Sequence, residues 1–132
     1  MSKSLLYAVN NNAQTVVVGD RVNFGEPVRR YGCNLNASGG EVLVDGEGYY
    51  NIDASATVTA GAEGIVTVTL LKDGSVIPGA SASMTVAEGD IVTLVVPPCA
   101  IRQKCCCEST ISAVISGVIG VVSSATIRVV KD

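Results

Sequence analysis

Four of the five cysteines in this 132-residue chain fall within nine positions: Cys99, Cys105, Cys106 and Cys107, with Cys33 far upstream. Thiolates bind zinc, exchange disulfides and attack electrophiles, so this is where chemistry would be sought first. The spacing argues against zinc. Zinc ligands usually pair across two to four intervening residues and often include histidine. Here Cys105 to Cys107 are contiguous and the chain has no histidine. The four cysteines are weak candidates for a metal, and the expectation is that the protein holds neither metal nor cofactor. Two other states stay open. The thiols can form disulfides, within or between chains given the odd total. They can also stay reduced and pack as small apolar groups. Arg102 and Lys104 are placed to lower a nearby thiol pKa, yet no base or oxyanion partner accompanies them.

The carboxylates Asp20, Glu26, Asp45, Glu47, Asp73, Glu88 and Asp90 sit at turns and strand ends. Loop oxygens of this kind bind calcium, but they more commonly form turns and carry solvated charge. With histidine absent, the commonest general base is missing. No Gly-x-Ser-x-Gly elbow is present either. The expectation is a protein that is not an enzyme. Asn36-Ala37-Ser38 matches a glycosylation pattern, read as chance because no secretory signal is seen.

The elements that would position these residues are strands. Hydrophobic residues make up 48% of the chain but aromatics only 4%, so the core must be built from Val, Ile, Leu and Ala, as in β-sheets. From Gly46 to Leu94 the sequence alternates. Tyr50, Ile52, Ala54, Ala56 and Val58 fall on one face; Asn51, Asp53, Ser55, Thr57 and Thr59 fall on the other. Asp73-Gly74 between two such runs is a hairpin signal. Strands are expected near 5–9, 15–18, 21–24, 41–44, 49–59, 64–72, 75–86, 90–96, 112–122 and 125–130, with a turn at Pro97-Pro98. Eight to ten antiparallel strands in one small domain make a sandwich or barrel. Two runs, Asp90–Val96 and Ile111–Val122, are apolar on both faces. Such strands need two covers, and the second is expected to be another copy of the chain.

Other function classes are excluded by charge and length. Net charge is −3 and no basic cluster exceeds Arg29-Arg30, which argues against nucleic acid. The apolar stretches Leu5–Val9 and Ile111–Val122 are too short to span a bilayer or serve as a signal, so no membrane is expected. The chain reads as made and folded in a cytosol.

Gly48-x-Tyr50-x-Ile52, opening a long alternating strand, resembles a signature of the tumour necrosis factor and complement globular-head superfamily. Glu88-Gly89-Asp90-x-Val92-x-Leu94 resembles that family's penultimate strand region, and Ser124 to Val129 its last strand. Leu70 to Gly79, with Asp73-Gly74 and Ile77-Pro78-Gly79, resembles a hairpin of bacterial and phage members. The likeness runs from about Thr15 to the end. It implies an all-β jelly-roll sandwich over residues 15–132, TNF-like, that assembles as a homotrimer and binds rather than catalyses. Residues 1–14 are then an N-terminal arm or first strand. Two departures stand out: there is no collagen-like segment, and the stretch from Pro97 to Thr110 is unusually rich in Cys.

On this reading the trimer contact is expected at Tyr50, Ile52, Val92, Leu94, Ile115, Val118 and Ile127. Other partners are expected at Leu5, Tyr7, Tyr31 and Tyr49. The expected function is a structural protein of a virion surface: a bacteriophage capsid decoration or head-fibre protein, assembled in a bacterial cytoplasm and docked on the major capsid protein or another virion protein. The alternative is a receptor- or glycan-binding head domain of a phage tail or bacterial surface protein.

Overall fold

The computed structural model describes residues 4–15, 21–38, 40–104, 108–117 and 119–131. Within these, eleven strands and no helix are found. They are β1 (Ser4–Asn10), β2 (Gln14–Thr15), β3 (Pro27–Tyr31), β4 (Leu35–Ser38), β5 (Glu41–Asp45), β6 (Gly48–Ala60), β7 (Gly64–Lys72), β8 (Ser75–Val86), β9 (Ile91–Gln103), β10 (Glu108–Gly117) and β11 (Ile119–Lys131). One sheet runs β3-β1-β11-β6-β9, with β2 also paired to β11; the other runs β4-β5-β10-β7-β8. The two layers form the expected all-β sandwich.

Alternation explains why these residues make these strands. Along β6 the even positions from Tyr50 to Ala60 are buried and the odd positions are not. Opposite them, Val66, Val68 and Leu70 of β7 and Ile111, Ala113 and Ile115 of β10 close the core from the second sheet. Burying each such Val, Leu or Ile contributes roughly 1.5–3 kcal/mol. Outward hydroxyls pair across strands: Thr57 with Thr93 at 3.0 Å and Thr67 with Ser83 at 2.9 Å. The β7–β8 turn is as predicted, with Asp73 at φ 52° and Gly74 at φ 83°. Positive φ at both central positions is the hairpin geometry that Asp-Gly favours.

Several boundaries differ from the sequence-based expectation, each for a physical reason. The apolar run Ile111–Val122 is two strands in two sheets. β10 belongs to the second sheet and β11 to the first. Gly117 ends β10 at φ +97°, and a Cβ there would overlap the carbonyl oxygen of Ile65. The run is therefore apolar because it passes from one inner face to the other.

Pro97-Pro98 is not a turn but lies inside β9. β9 is an edge strand, where the missing N–H groups leave no ladder bond unmade. Most of the Pro97–Thr110 stretch is thus strand. Residues 21–24 form only an isolated bridge, Arg21 to Val114, and β3 and β4 were not anticipated. Of the strand expected at 15–18, residues 16–18 lie outside the described residues.

Of the N-terminal segment, Ser4–Asn10 forms the first strand. β1 lies between β3 and β11, with Leu6 and Ala8 in the core.

Candidate assembly face

The side chains that point away from the core on the first sheet form one continuous surface. β6 contributes Asn51, Asp53, Ser55, Thr57 and Thr59. Register places Arg128 of β11 opposite Asp53, Thr126 opposite Ser55, and Val130 opposite Asn51. Beyond β11, Leu5 and Tyr7 of β1 stand opposite Val130 and Arg128. On the other side, Ile91, Thr93 and Val95 of β9 stand opposite Thr59, Thr57 and Ser55. Ile91 is 70% exposed and Val95 64% exposed, although β9 also has an inward apolar row in Val92, Leu94 and Val96. This strand is apolar on both faces, as the sequence predicts, and its outer row is left exposed among the described residues.

The double proline shapes this face. Ile52 pairs with Cys99 and Ala54 with Val96, so two residues of β9, Pro97 and Pro98, stand against the single Asp53. This is a β-bulge, which breaks the ladder and re-aims the edge strand. Beside it lies a depression of about 280 Å³ lined by Tyr7, Asp53, Ala54, Ser55, Val95, Val96, Pro98, Thr126 and Arg128. Its lining is apolar apart from hydroxyls and one ion pair, Arg128 Nη1 to Asp53 Oδ2 at 3.1 Å.

The residues expected at a trimer contact are placed differently. Tyr50, Ile52, Ile115 and Ile127 have no exposed surface and Leu94 is 3% exposed, all covered by the chain's own packing. They are core residues, which corrects their assignment: a side chain already enclosed offers nothing to a partner. Val92 is partly buried against the same core. Val118 lies outside the described residues. For Tyr50, Ile52, Leu94 and Ile127 the residues facing outward are the immediate chain neighbours, whereas Ile115 belongs to the second sheet. Val95 and Ile91 were legible as a second apolar row; Asp53, Arg128 and Pro98 were not, since nothing local announces their juxtaposition.

Of the residues expected to meet other partners, Leu5 and Tyr7 are half-buried on the outer face, and Tyr7 lines the depression. Tyr31 stands opposite Leu5 and Tyr49 opposite Arg102, both more than half exposed.

Tyr50 is a structural tyrosine. Its hydroxyl donates to the carbonyls of Gly46 at 2.9 Å and Asp45 at 3.3 Å. Burial raises its pKa, and the Asp45 carboxylate and Cys33 add to the shift. Cys99 is half-buried with its thiol 3.8 Å from the Ile52 carbonyl, and its pKa is raised by burial and then by Asp53. It is thus held as a neutral thiol, while Cys33 is exposed. Cys105, Cys106 and Cys107 lie outside the described residues. Among the described residues no three His, Cys, Asp or Glu side chains come together to hold a metal.

The fold has clear counterparts among solved structures. Murine APRIL at pH 5.0 superposes with a TM-score of 0.77 at 15% identity, covering 99% of this chain and 100% of that one. The globular domain of zebrafish complement 1qA protein matches with a TM-score of 0.74 at 9% identity, covering 98% and 97%. PRD1 vertex protein P5 matches with a TM-score of 0.66 at 12% identity, covering 97% and 96%. The chain therefore has a TNF-like fold. It matches no sequence family and no curated protein.

Proposed function

We propose that this chain is a non-enzymatic structural protein that assembles as a homotrimer through the outer face of its first sheet. The observation that carries this reading is the outward row of β9, where Ile91 and Val95 are exposed and Val95 lines the depression beside the Pro97-Pro98 bulge. Large apolar side chains exposed together on one sheet face suit an interface. A second surface of the same chain is suited to meet it. Between the edge strands β8 and β9, Met84 is 44% exposed, and Ala82 and Val92 are only partly covered. Contact between two different surfaces of identical chains closes into a ring when the rotation allows. Folds of this type commonly form rings of three.

The finer reading is a protein of a virion surface: a bacteriophage capsid decoration or head-fibre protein, assembled in a bacterial cytoplasm and docked on the capsid. Its support is the likeness to a vertex protein, together with a core and faces suited to assembly rather than catalysis. Sedimentation equilibrium at micromolar concentration tests the trimer; the mass of a single chain at every concentration would reject it. Antibody labelling of purified virions tests the location, and unlabelled particles would reject that.

One observation favours a glycan-binding head instead. A depression of about 620 Å³ toward the Asn10 end of β1 is lined by Asn10, Asn11, Asn12, Asn23 and Glu26 among others. Amide groups suit sugar hydroxyls. However, the Asn10 amide donates to the Asn23 carbonyl at 2.8 Å, and Asn23 Oδ1 accepts from Gly25 N–H at 2.7 Å. A glycan array separates the two: binding there, with no retention on capsids, would favour the head domain.

A further inference from the structure

The ion pair between Asp53 and Arg128 sits in an unusual place for a surface bridge. Both side chains are about half exposed, 46% and 54%. Exposed pairs of this kind add little to the stability of a single chain. Charges on sheets commonly guard edge strands against unwanted pairing. These two stand on central strands instead, since β11 lies between β1 and β6, and β6 between β11 and β9. Asp53 is the only charged residue from Gly48 to Ala60. In β11 the other charge, Lys131, is drawn off to Asn34 at 3.3 Å. The positions flanking the pair on the outer face are Asn51, Ser55, Thr126 and Val130. A single acid of β6 and Arg128 of β11 thus meet in register between uncharged neighbours, and together they wall the depression.

We propose that Asp53 and Arg128 set the docking register of the self-association, so that they determine which contact a second copy of this chain makes on the face. The inference rests on the homotrimer reading above. A second copy seated over the depression removes water from both charges. A matched pair survives this nearly without net cost, whereas one charge left alone in a covered site is strongly disfavoured. A copy docked out of register covers one of the two charges without the other, or sets a like charge against it, and is rejected. The occupant is a second copy because the pair adjoins Val95, and the same chain presents the open rim around Met84 that such a face would cover.

Sedimentation velocity on four proteins tests this, with far-UV circular dichroism confirming the fold of each: the natural chain, Asp53→Asn, Arg128→Gln, and the exchange Asp53→Arg with Arg128→Asp. Each single variant is expected to weaken association by about tenfold or more. The exchange is expected to recover most of it, because the pair is made within one chain. Three copies of the natural chain in one particle, with both single variants unchanged, would overturn this inference and leave the trimer standing. Loss of assembly in the exchange as well as in the singles would also overturn it. A natural chain that stays single at all concentrations would overturn both readings together.

Discussion

The hydroxyl of Tyr50, at the start of β6, donates a 2.9 Å hydrogen bond to the carbonyl of Gly46 in the turn just before that strand. The ring itself has no exposed surface. The Gly48-x-Tyr50-x-Ile52 pattern thus packs a large side chain at one end of the sandwich and ties the turn to it. Tyr50→Phe keeps the packing and removes the bond, so it is expected to cost about 1 kcal/mol in urea unfolding. Tyr50→Ala also opens a cavity and is expected to cost about 3–5 kcal/mol.

The raised pKa of Tyr50 makes stability depend on alkaline pH. A group whose folded pKa lies above its unfolded value favours folding fully while both states are protonated. Stability is then lost as pH rises past the unfolded value, near pH 10 for a phenol, until the folded value is passed. Cys99 acts with the same sign from a lower starting pH, since its pKa is also raised. Unfolding free energy measured between pH 8 and 11 is expected to fall less steeply in Tyr50→Phe and in Cys99→Ala than in the natural chain. Parallel curves would contradict both assignments.

Gly117 marks the passage from one sheet to the other. Its φ of +97° disfavours any side chain, and the Ile65 carbonyl occupies the space of a Cβ. Gly117→Ala is expected to cost about 1–3 kcal/mol from backbone strain alone, and more from the overlap. A thermal midpoint unchanged by this substitution would count against the described path of the chain.

Leu94 and Val95 are adjacent in sequence and opposite in role. Leu94→Ala is expected to cost about 2–5 kcal/mol of stability, as expected for a core truncation. Val95→Glu is expected to leave the stability of the single chain within about 0.5 kcal/mol, since that side chain is exposed. Yet it places a charge on the proposed contact, so association measured by sedimentation is expected to weaken by about tenfold or more. The same mass distribution before and after would place the contact elsewhere.

Much of this was legible in the residues. The two-residue period along β6 and β7 shows which side chains are inward, and Asp73-Gly74 marks its hairpin, because both depend only on neighbouring positions. Errors arose where meaning depends on distant chain. The run Ile111–Val122 looks like one strand with two apolar faces, and only the pairing of β10 with β7 and of β11 with β6 reveals two strands facing one core. Pro97-Pro98 signals a turn locally; an unpaired outer edge lets it remain in a strand.

The sequence by itself determined the all-β class, the alternation of faces and the excess of apolar surface on β9, since side-chain direction along a strand follows from local geometry. Tertiary structure alone decided which outward residues share a surface. Asp53 and Arg128 are 75 positions apart, and they meet only because β11 closes back beside β6 in one register. A shift of one residue would turn every side chain of that strand to the other face, so the hydrophobic core selects the register and thereby brings the pair together.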